Sequence, residues 1–229
     1  MTTESYGAIK ASTSIDPAIA PNHVDERFRG TSRLGAWLAD FRGYVADLEA
    51  GKTDPMPGFM MMRFPNDHTS GLTPGVPTPQ FAMADNDLAI GRLVEAVSGS
   101  PYWKNTVIFI LEDDAQDGPD HVDAHRSPAL VISAYNRPGA LIHQFHNTVS
   151  LIRTMEILLG LDPMNQLDAT ATPIGIFRDQ ADLTPYKALL PDVALDNLIN
   201  PQRSPALSPE ARYWMNRTAE ARPRACRHG

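Results

Sequence analysis

Apolar residues recur along three stretches of the chain at spacings of three and four, which predicts three helices. The first covers residues 31–51, where Thr31 or Ser32 is placed to cap it and Gly51 to end it. The second covers residues 81–98, and the third runs from Asn147 or Thr148 to Leu159. The residues expected to face inward are Leu34, Trp37, Leu38, Phe41, Val45 and Leu48, then Leu88, Leu93, Val94 and Val97, then Val149, Ile152, Met155 and Leu159.

Three shorter runs are apolar at almost every position, which is typical of buried strands. They cover residues 59–64, 106–111 and 129–133. Strands that alternate with helices indicate βαβ units. The expected fold class is therefore α/β, with a mainly parallel sheet flanked by helices. Residues 1–30 and those beyond about Asp179 show no sustained period and are predicted to be irregular.

Composition narrows the range of functions. The 229 residues are 42% apolar, which is enough for a sizeable core, and the formal charge of -7 argues against a nucleic-acid partner. No apolar run approaches the roughly 20 residues of a membrane span, so no membrane insertion is expected. The first residues contain no apolar signal segment. The single Cys226 excludes a cysteine-based zinc site, so any bound metal must use oxygen and nitrogen ligands.

Two polar clusters follow two of the predicted strands. Asp67 and His68 lie three and four residues after Phe64, while Glu112, Asp113 and Asp114 follow Leu111 directly. Ligands of open α/β sheets bind at the carboxyl ends of the strands. Both clusters are therefore expected at one edge of the sheet.

The chemistry of these clusters favours a metal site. Adjacent carboxylates repel one another unless a cation compensates them, and neighbouring extended residues such as Asp113 and Asp114 can each face a different ion. His121 and His125 add nitrogen donors, and this mixture suits zinc, manganese or iron. The alternatives are a solvated turn at residues 112–114 and a simple capping turn at Asp67. Residues 85–87 are interpreted as helix surface or local capping.

Five segments, in order, resemble blocks of the alkaline phosphatase superfamily, and within it the bacterial phosphoesterases related to phospholipase C and acid phosphatase. They cover residues 63–71, 84–92, 107–126, 147–150 and 168–173. The resemblance runs from about residue 6 to 186. It implies an alkaline phosphatase-like sheet, incomplete at its N-terminus. Residues 1–185 would form the C-terminal portion of a phosphoesterase domain, and residues 186–229 an irregular extension with an arginine-rich tail.

The resemblance also implies roles for individual residues. Asp113 and Asp114 resemble the adjacent ligands that open the coordination of one metal. His125 resembles the late histidine of the other metal, with His121 as the competing candidate. Asp67 and His68 resemble the middle block of ligands, in which Asn66 is a further possibility. Two divalent ions and a phosphate ester substrate are implied.

The nucleophile of this superfamily is not found in the sequence. It is a Ser or Thr that comes, like the first carboxylate ligand, from blocks upstream, and nothing before Asp67 resembles them. The expected function is a metal-dependent hydrolase of phosphoric ester bonds in a partial chain. The alternatives are an inactive fragment and a non-catalytic metal-binding module. Monoester, diester and phospholipid substrates all stay open, as do oligomeric state and localisation.

Overall fold

The computed structural model of this protein describes residues 33–64, 66–69, 71–75, 77–112, 127–192 and 200, together with the backbone of residues 3–5. The helices within these residues are α1 (Arg33–Glu49), α2 (Pro79–Ser98), α3 (Thr148–Leu159) and α4 (Gln166–Thr170). The strands are β1 (Thr3–Ser5), β2 (Phe59–Met61), β3 (Val107–Leu111) and β4 (Ala129–Ser133). The described part of the chain is thus a mixture of helices and short strands.

The strands pair in two small sheets. β1 and β2 are parallel, whereas β3 and β4 are antiparallel, with Val107 opposite Ser133 and Leu111 opposite Ala129. The predicted mainly parallel sheet is not what the described residues form. Parallel neighbours need a long crossover, usually a helix, whereas antiparallel neighbours do not. The polar sequence between β3 and β4 has no helical period, which agrees with their antiparallel pairing.

Strand lengths and burial also differ from the prediction. β2 ends at Met61 rather than at residue 64, and Met61 pairs with Ser5, the last residue of β1. β3 was expected to be buried on both faces, but it is only half-buried and Leu111 is 37% exposed. Its sheet has two strands in the described region, too few to cover both faces.

The core lies between α1, α2 and the segment that precedes β3. The rings of Trp37 and Phe41 in α1 are stacked, with their centroids 4.7 Å apart and their planes at 12°. The ring centroid of Tyr102 lies 5.9 Å from that of Phe41. The inward face predicted for α1 is confirmed, with Val45 and Leu48 partly buried. The fully buried cluster consists of Leu34, Trp37, Leu38, Phe41, Ala89, Val97, Tyr102, Trp103 and Ala134. Met60 of β2, Ile108 of β3 and Ile132 of β4 pack against it.

Local sequence signals set the helix ends. Thr78 caps α2 and Pro79 starts it, two residues before the predicted start. Asn147 caps α3 in a capping box with Ser150, and Gly160 ends α3 with φ +67°. Both ends of α3 agree with the prediction. The proposed caps of α1, Thr31 and Ser32, lie outside the described residues.

The buried face of α3 differs from the apolar face that the sequence predicts. Val149, Ile152, Met155 and Leu159 are only half-buried. The buried residues are Ser150, Leu151, Thr154 and Glu156. The Thr154 hydroxyl donates to the Ser150 carbonyl at 2.6 Å and accepts from the Ile174 N–H at 2.9 Å. Polar contacts with the segment after α4 thus orient α3.

The segment around residues 182–186 packs onto the core. The indole N–H of Trp103 donates to the Asp182 carbonyl at 3.2 Å, and the Tyr186 N–H donates to the Ser98 hydroxyl at 2.9 Å. The rings of Trp103 and Tyr186 meet edge to face at 6.0 Å. None of the described helices combines the length and the apolar character needed to cross a membrane.

Candidate functional site

The first polar cluster forms a single 3-10 turn, Asn66–His68, shortly after β2. The side-chain amide of Asn66 donates a hydrogen bond of 2.7 Å to Oδ2 of Asp85 in α2. This bond joins two segments that are 19 residues apart in the chain. Asn66 therefore anchors the turn to the helix, while Asp67 and His68 are exposed.

Asp85 corrects the interpretation of residues 85–87 as helix surface. Its side chain is fully buried at 0% exposure, and only Asp87 of the three is exposed. The spacing could have revealed this, because Ala82, Asp85 and Ala89 follow one another at three and four residues and all are buried. A carboxylate on the buried stripe of a helix needs polar partners there. Asn66 is one of them.

The charges of Asp85 and Arg63 both act on the guanidinium of Arg33. The pKa of Arg33 is lowered, mainly by burial and next by the positive charge of Arg63, while the negative charge of Asp85 opposes both effects. Arg63 is exposed and lies three residues before Asn66. Arg33 is therefore a cationic neighbour of the buried carboxylate, and Arg63, three residues before Asn66, places positive charge near the exposed turn.

The backbone directly after the turn is strained. Among the described non-glycine residues, Thr69 alone has a positive φ, at +48°. A β-branched residue in this region costs about 1–3 kcal/mol and persists only where its surroundings hold it. The Thr69 N–H donates to the Asn66 carbonyl at 3.1 Å, and the Thr69 hydroxyl accepts from the Gly71 N–H at 3.3 Å. Nδ1 of His68 lies 3.3 Å from the Thr69 carbonyl oxygen.

A residue far along the chain fixes the loop that follows. The amide of Asn200 donates to the carbonyls of Gly71 and Thr73 at 2.9 and 3.0 Å. The backbone carbonyl of Asn200 accepts a hydrogen bond from the Gly75 N–H at 3.0 Å. Asn200 itself is buried, so its ends of these three bonds are shielded from water. The sequence gives no signal for this contact.

Asp113, Asp114, His121 and His125, the ligand candidates of the second cluster, lie outside the described residues. The two ends of their segment are nevertheless defined. The Glu112 N–H donates to the Pro128 carbonyl at 3.3 Å, and the Ser127 hydroxyl donates to the Glu112 carbonyl at 2.8 Å. Glu112 and Ser127, the described residues on either side of this segment, therefore lie side by side at one end of the β3–β4 pair.

Within the described ranges, no three His, Cys, Asp or Glu side chains are grouped so that they could hold a metal ion. Asp67 and His68 provide one oxygen and one nitrogen donor, types that zinc, manganese and iron accept. A protein metal site takes three or more ligands, so this turn can supply only part of one.

Comparison with protein families, curated proteins and solved structures found no match to this chain.

Proposed function

We propose that this chain is the metal-binding portion of a phosphoester hydrolase related to the alkaline phosphatase superfamily. Its complete scaffold would be a mainly parallel sheet that also includes the antiparallel β3–β4 pair. Two divalent ions, of zinc, manganese or iron, are its cofactors. Asp67 and His68 contribute to one ligand set. The remaining ligands are Asp113, Asp114 and His125, with His121 as the alternative to His125.

The hydrogen bond between Asn66 and Asp85 is the observation that favours this function. A simple solvated turn needs no buried carboxylate beneath it, and burying a carboxylate is costly. Here the buried Asp85 binds Asn66 and so fixes the position of two exposed donors. Metal ligands are commonly oriented by hydrogen bonds from outside the coordination sphere, and here such a bond holds the residue next to the two proposed ligands.

The protein's own residues would prepare the site for an anionic ester. Asp67 and His68 offer donors on a turn that cannot rotate freely, and Arg63 adds positive charge near them. When bound, the ions would polarise the phosphoryl oxygens and stabilise the leaving oxygen. The nucleophile is expected in a block that the sequence before Asp67 does not contain.

A metal titration tests the ligand assignment. We expect Zn²⁺ or Mn²⁺ to bind the purified chain, and calorimetry to show affinity falling about tenfold or more in a double variant, Asp113→Ala with Asp114→Ala. A second double variant, Asp67→Ala with His68→Ala, should lose affinity similarly. The exposed Asp162→Ala is the matched control and should bind like the parent. Full binding in both double variants would show that the site has been misplaced.

An activity assay tests whether the chain lacks its nucleophile. With Zn²⁺ or Mn²⁺ present, we expect little or no hydrolysis of a generic phosphomonoester or diester, because the nucleophile block is lacking. Metal binding without turnover agrees with a partial, inactive or non-catalytic chain. Robust turnover that disappears in Asp113→Ala would refute the missing nucleophile while supporting the metal ligands.

A further inference from the structure

A second site candidate is formed by residues far from the Asn66–His68 turn in the sequence. It is a cleft of about 370 Å³ between the end of β4 with its following turn and the segment around residues 178–186. This volume is at the lower end of the range of about 300–1,000 Å³ that is typical of small-molecule sites. The cleft is thus large enough for one small organic molecule.

Hydrogen bonds fix both walls of the cleft. The Arg178 N–H donates to the Tyr135 carbonyl at 2.8 Å, and the Asp182 N–H donates to the Ala134 carbonyl at 2.7 Å. The indole N–H of Trp103 also donates a hydrogen bond to the Asp182 carbonyl. Because each wall is tied to β4 or to the core, the cleft is formed before any ligand enters.

Two guanidinium groups border this cleft. Arg137 donates through Nε to the Phe177 carbonyl at 2.8 Å, which orients its terminal nitrogens. Nε of Arg178 is buried and has no hydrogen-bond partner. A terminal nitrogen of Arg178 lies 3.8 Å from Oδ2 of Asp182, beyond the normal range of a hydrogen bond. Because Nε is buried, the donors that Arg178 can offer to a molecule in the cleft are those of its terminal nitrogens.

The carboxylate of Asp182 does not neutralise both arginines. Its Oδ1 accepts from the Thr184 N–H at 2.9 Å. The pKa of Asp182 is lowered, first by a hydrogen bond from the Thr184 side chain and then by the Thr184 N–H, so the carboxylate is ionised at neutral pH. Two cations and one anion leave one positive charge in the cleft.

The rest of the lining combines three polar residues, Ser133, Asn136 and Thr184, with apolar and aromatic ones. Pro138 and Pro185 contribute to the walls, and the rings of Trp103 and Tyr186 meet at an interplanar angle of 88°. Such surfaces favour a planar or apolar body, whereas arginines favour planar oxyanions that they can bind with two parallel hydrogen bonds. We propose that this cleft binds a small organic oxyanion, a carboxylate or a phosphate ester, between Arg137 and Arg178.

Binding to the full chain in the presence of EDTA tests this proposal and keeps it separate from the proposed metal centre. The probes are phenyl phosphate, benzoate and the uncharged benzamide, followed by ligand-observed NMR. We expect at least one of the two anions to bind about tenfold or more tightly than benzamide. Binding of phenyl phosphate alone assigns a phosphate ester, and binding of benzoate alone assigns a carboxylate.

Variants locate the binding. Arg178→Gln and, separately, Arg137→Gln should each weaken the preferred anion about tenfold. Arg137 is exposed, so its variant keeps the test valid if Arg178→Gln fails to fold. Arg92→Gln is the matched control, since Arg92 is exposed and pairs with Glu95 on α2. The proposal is overturned if neither anion binds, if benzamide binds equally well, or if both arginine variants bind like the control.

Discussion

Replacing Asn66 by alanine tests the contact that positions the candidate metal-binding turn. The substitution removes the amide that donates to Asp85 at 2.7 Å and leaves the helix itself unchanged. Asp85 is fully buried, so water cannot replace the lost donor without local opening of the structure. The variant should therefore be less stable than the parent protein.

The expected loss follows from the type of bond. Hydrogen bonds to a charged group contribute roughly 1.5–3 kcal/mol, and leaving a buried charged acceptor short of a donor is at the upper end of this range. With a urea m-value of about 3 kcal/mol/M, the unfolding midpoint should fall by roughly 0.5–1 M. The change should appear in the midpoint, since the surface exposed on unfolding is almost the same in both proteins.

Urea unfolding followed by tryptophan fluorescence measures this change. Asn105→Ala is the matched control, because Asn105 is also an asparagine at a 3-10 turn but is exposed, and its midpoint should stay within about 0.2 M of the parent. A further variant, Asn66→Asp, places a second carboxyl group beside Asp85, and its larger loss should diminish on acidification. An Asn66→Ala midpoint equal to that of the control would refute the anchoring role of Asn66.

Three further predictions concern the core and its ionisable groups. Leu34→Ala should lower the free energy of unfolding by about 2–5 kcal/mol, because Leu34 is 0% exposed. Leu141→Ala is the control: Leu141 is 80% exposed, and its loss should change the free energy of unfolding by less than about 0.5 kcal/mol. Equal losses for the two variants in denaturant titrations would contradict the assigned core. Burial, and next the hydrogen bond to Asp54, raises the pKa of Tyr102 to about 12 from an ordinary value near 10. The unfolded chain releases that proton first, so stability should fall between about pH 10 and 12, and Tyr102→Phe should remove this part of the fall in unfolding curves measured against pH. Burial raises the pKa of Asp168, but backbone N–H donors lower it more, so its net pKa is below the ordinary value. Its contribution is present above that ordinary value and lost as pH falls below it, and Asp168→Asn should flatten the acid limb of thermal stability; an unchanged acid limb would contradict this.

Helix positions were predictable because their signals are local. Asn147 with Ser150, and Gly160, act through backbone groups within one turn of α3. Thr78 and Pro79 act in the same way at the start of α2, but the prediction left them in the preceding loop. The apolar period of α1 also identified its buried face. These features depend on residues close together in sequence, so they require no knowledge of the rest of the fold.

Strand pairing and some buried faces were not predictable from the same patterns. An apolar run such as β3 suits a parallel or an antiparallel sheet. The sequence of β3 does not show that it pairs antiparallel with β4. α3 buries Thr154 and Glu156 while Ile157 and Leu158 are half-exposed, because its neighbours provide polar contacts rather than an apolar surface. Periodicity reports the side chains of one helix and carries no information on what packs against it.

Some features of the candidate site were likewise predictable from the sequence, whereas others depend on the fold. Residue types and spacing alone identified Asp67, His68 and the acidic run after β3 as metal-binding candidates, since carboxylates and imidazoles are recognisable without a structure. Only the tertiary structure joined Asn66 to Asp85 and brought Asn200 onto the loop at residues 71–75. Likewise, only the fold brought Arg137 and Arg178 to one cleft. The physical reason is that sequence fixes the chemistry and local conformation of each segment, whereas contacts between distant segments arise from the packing of the whole chain.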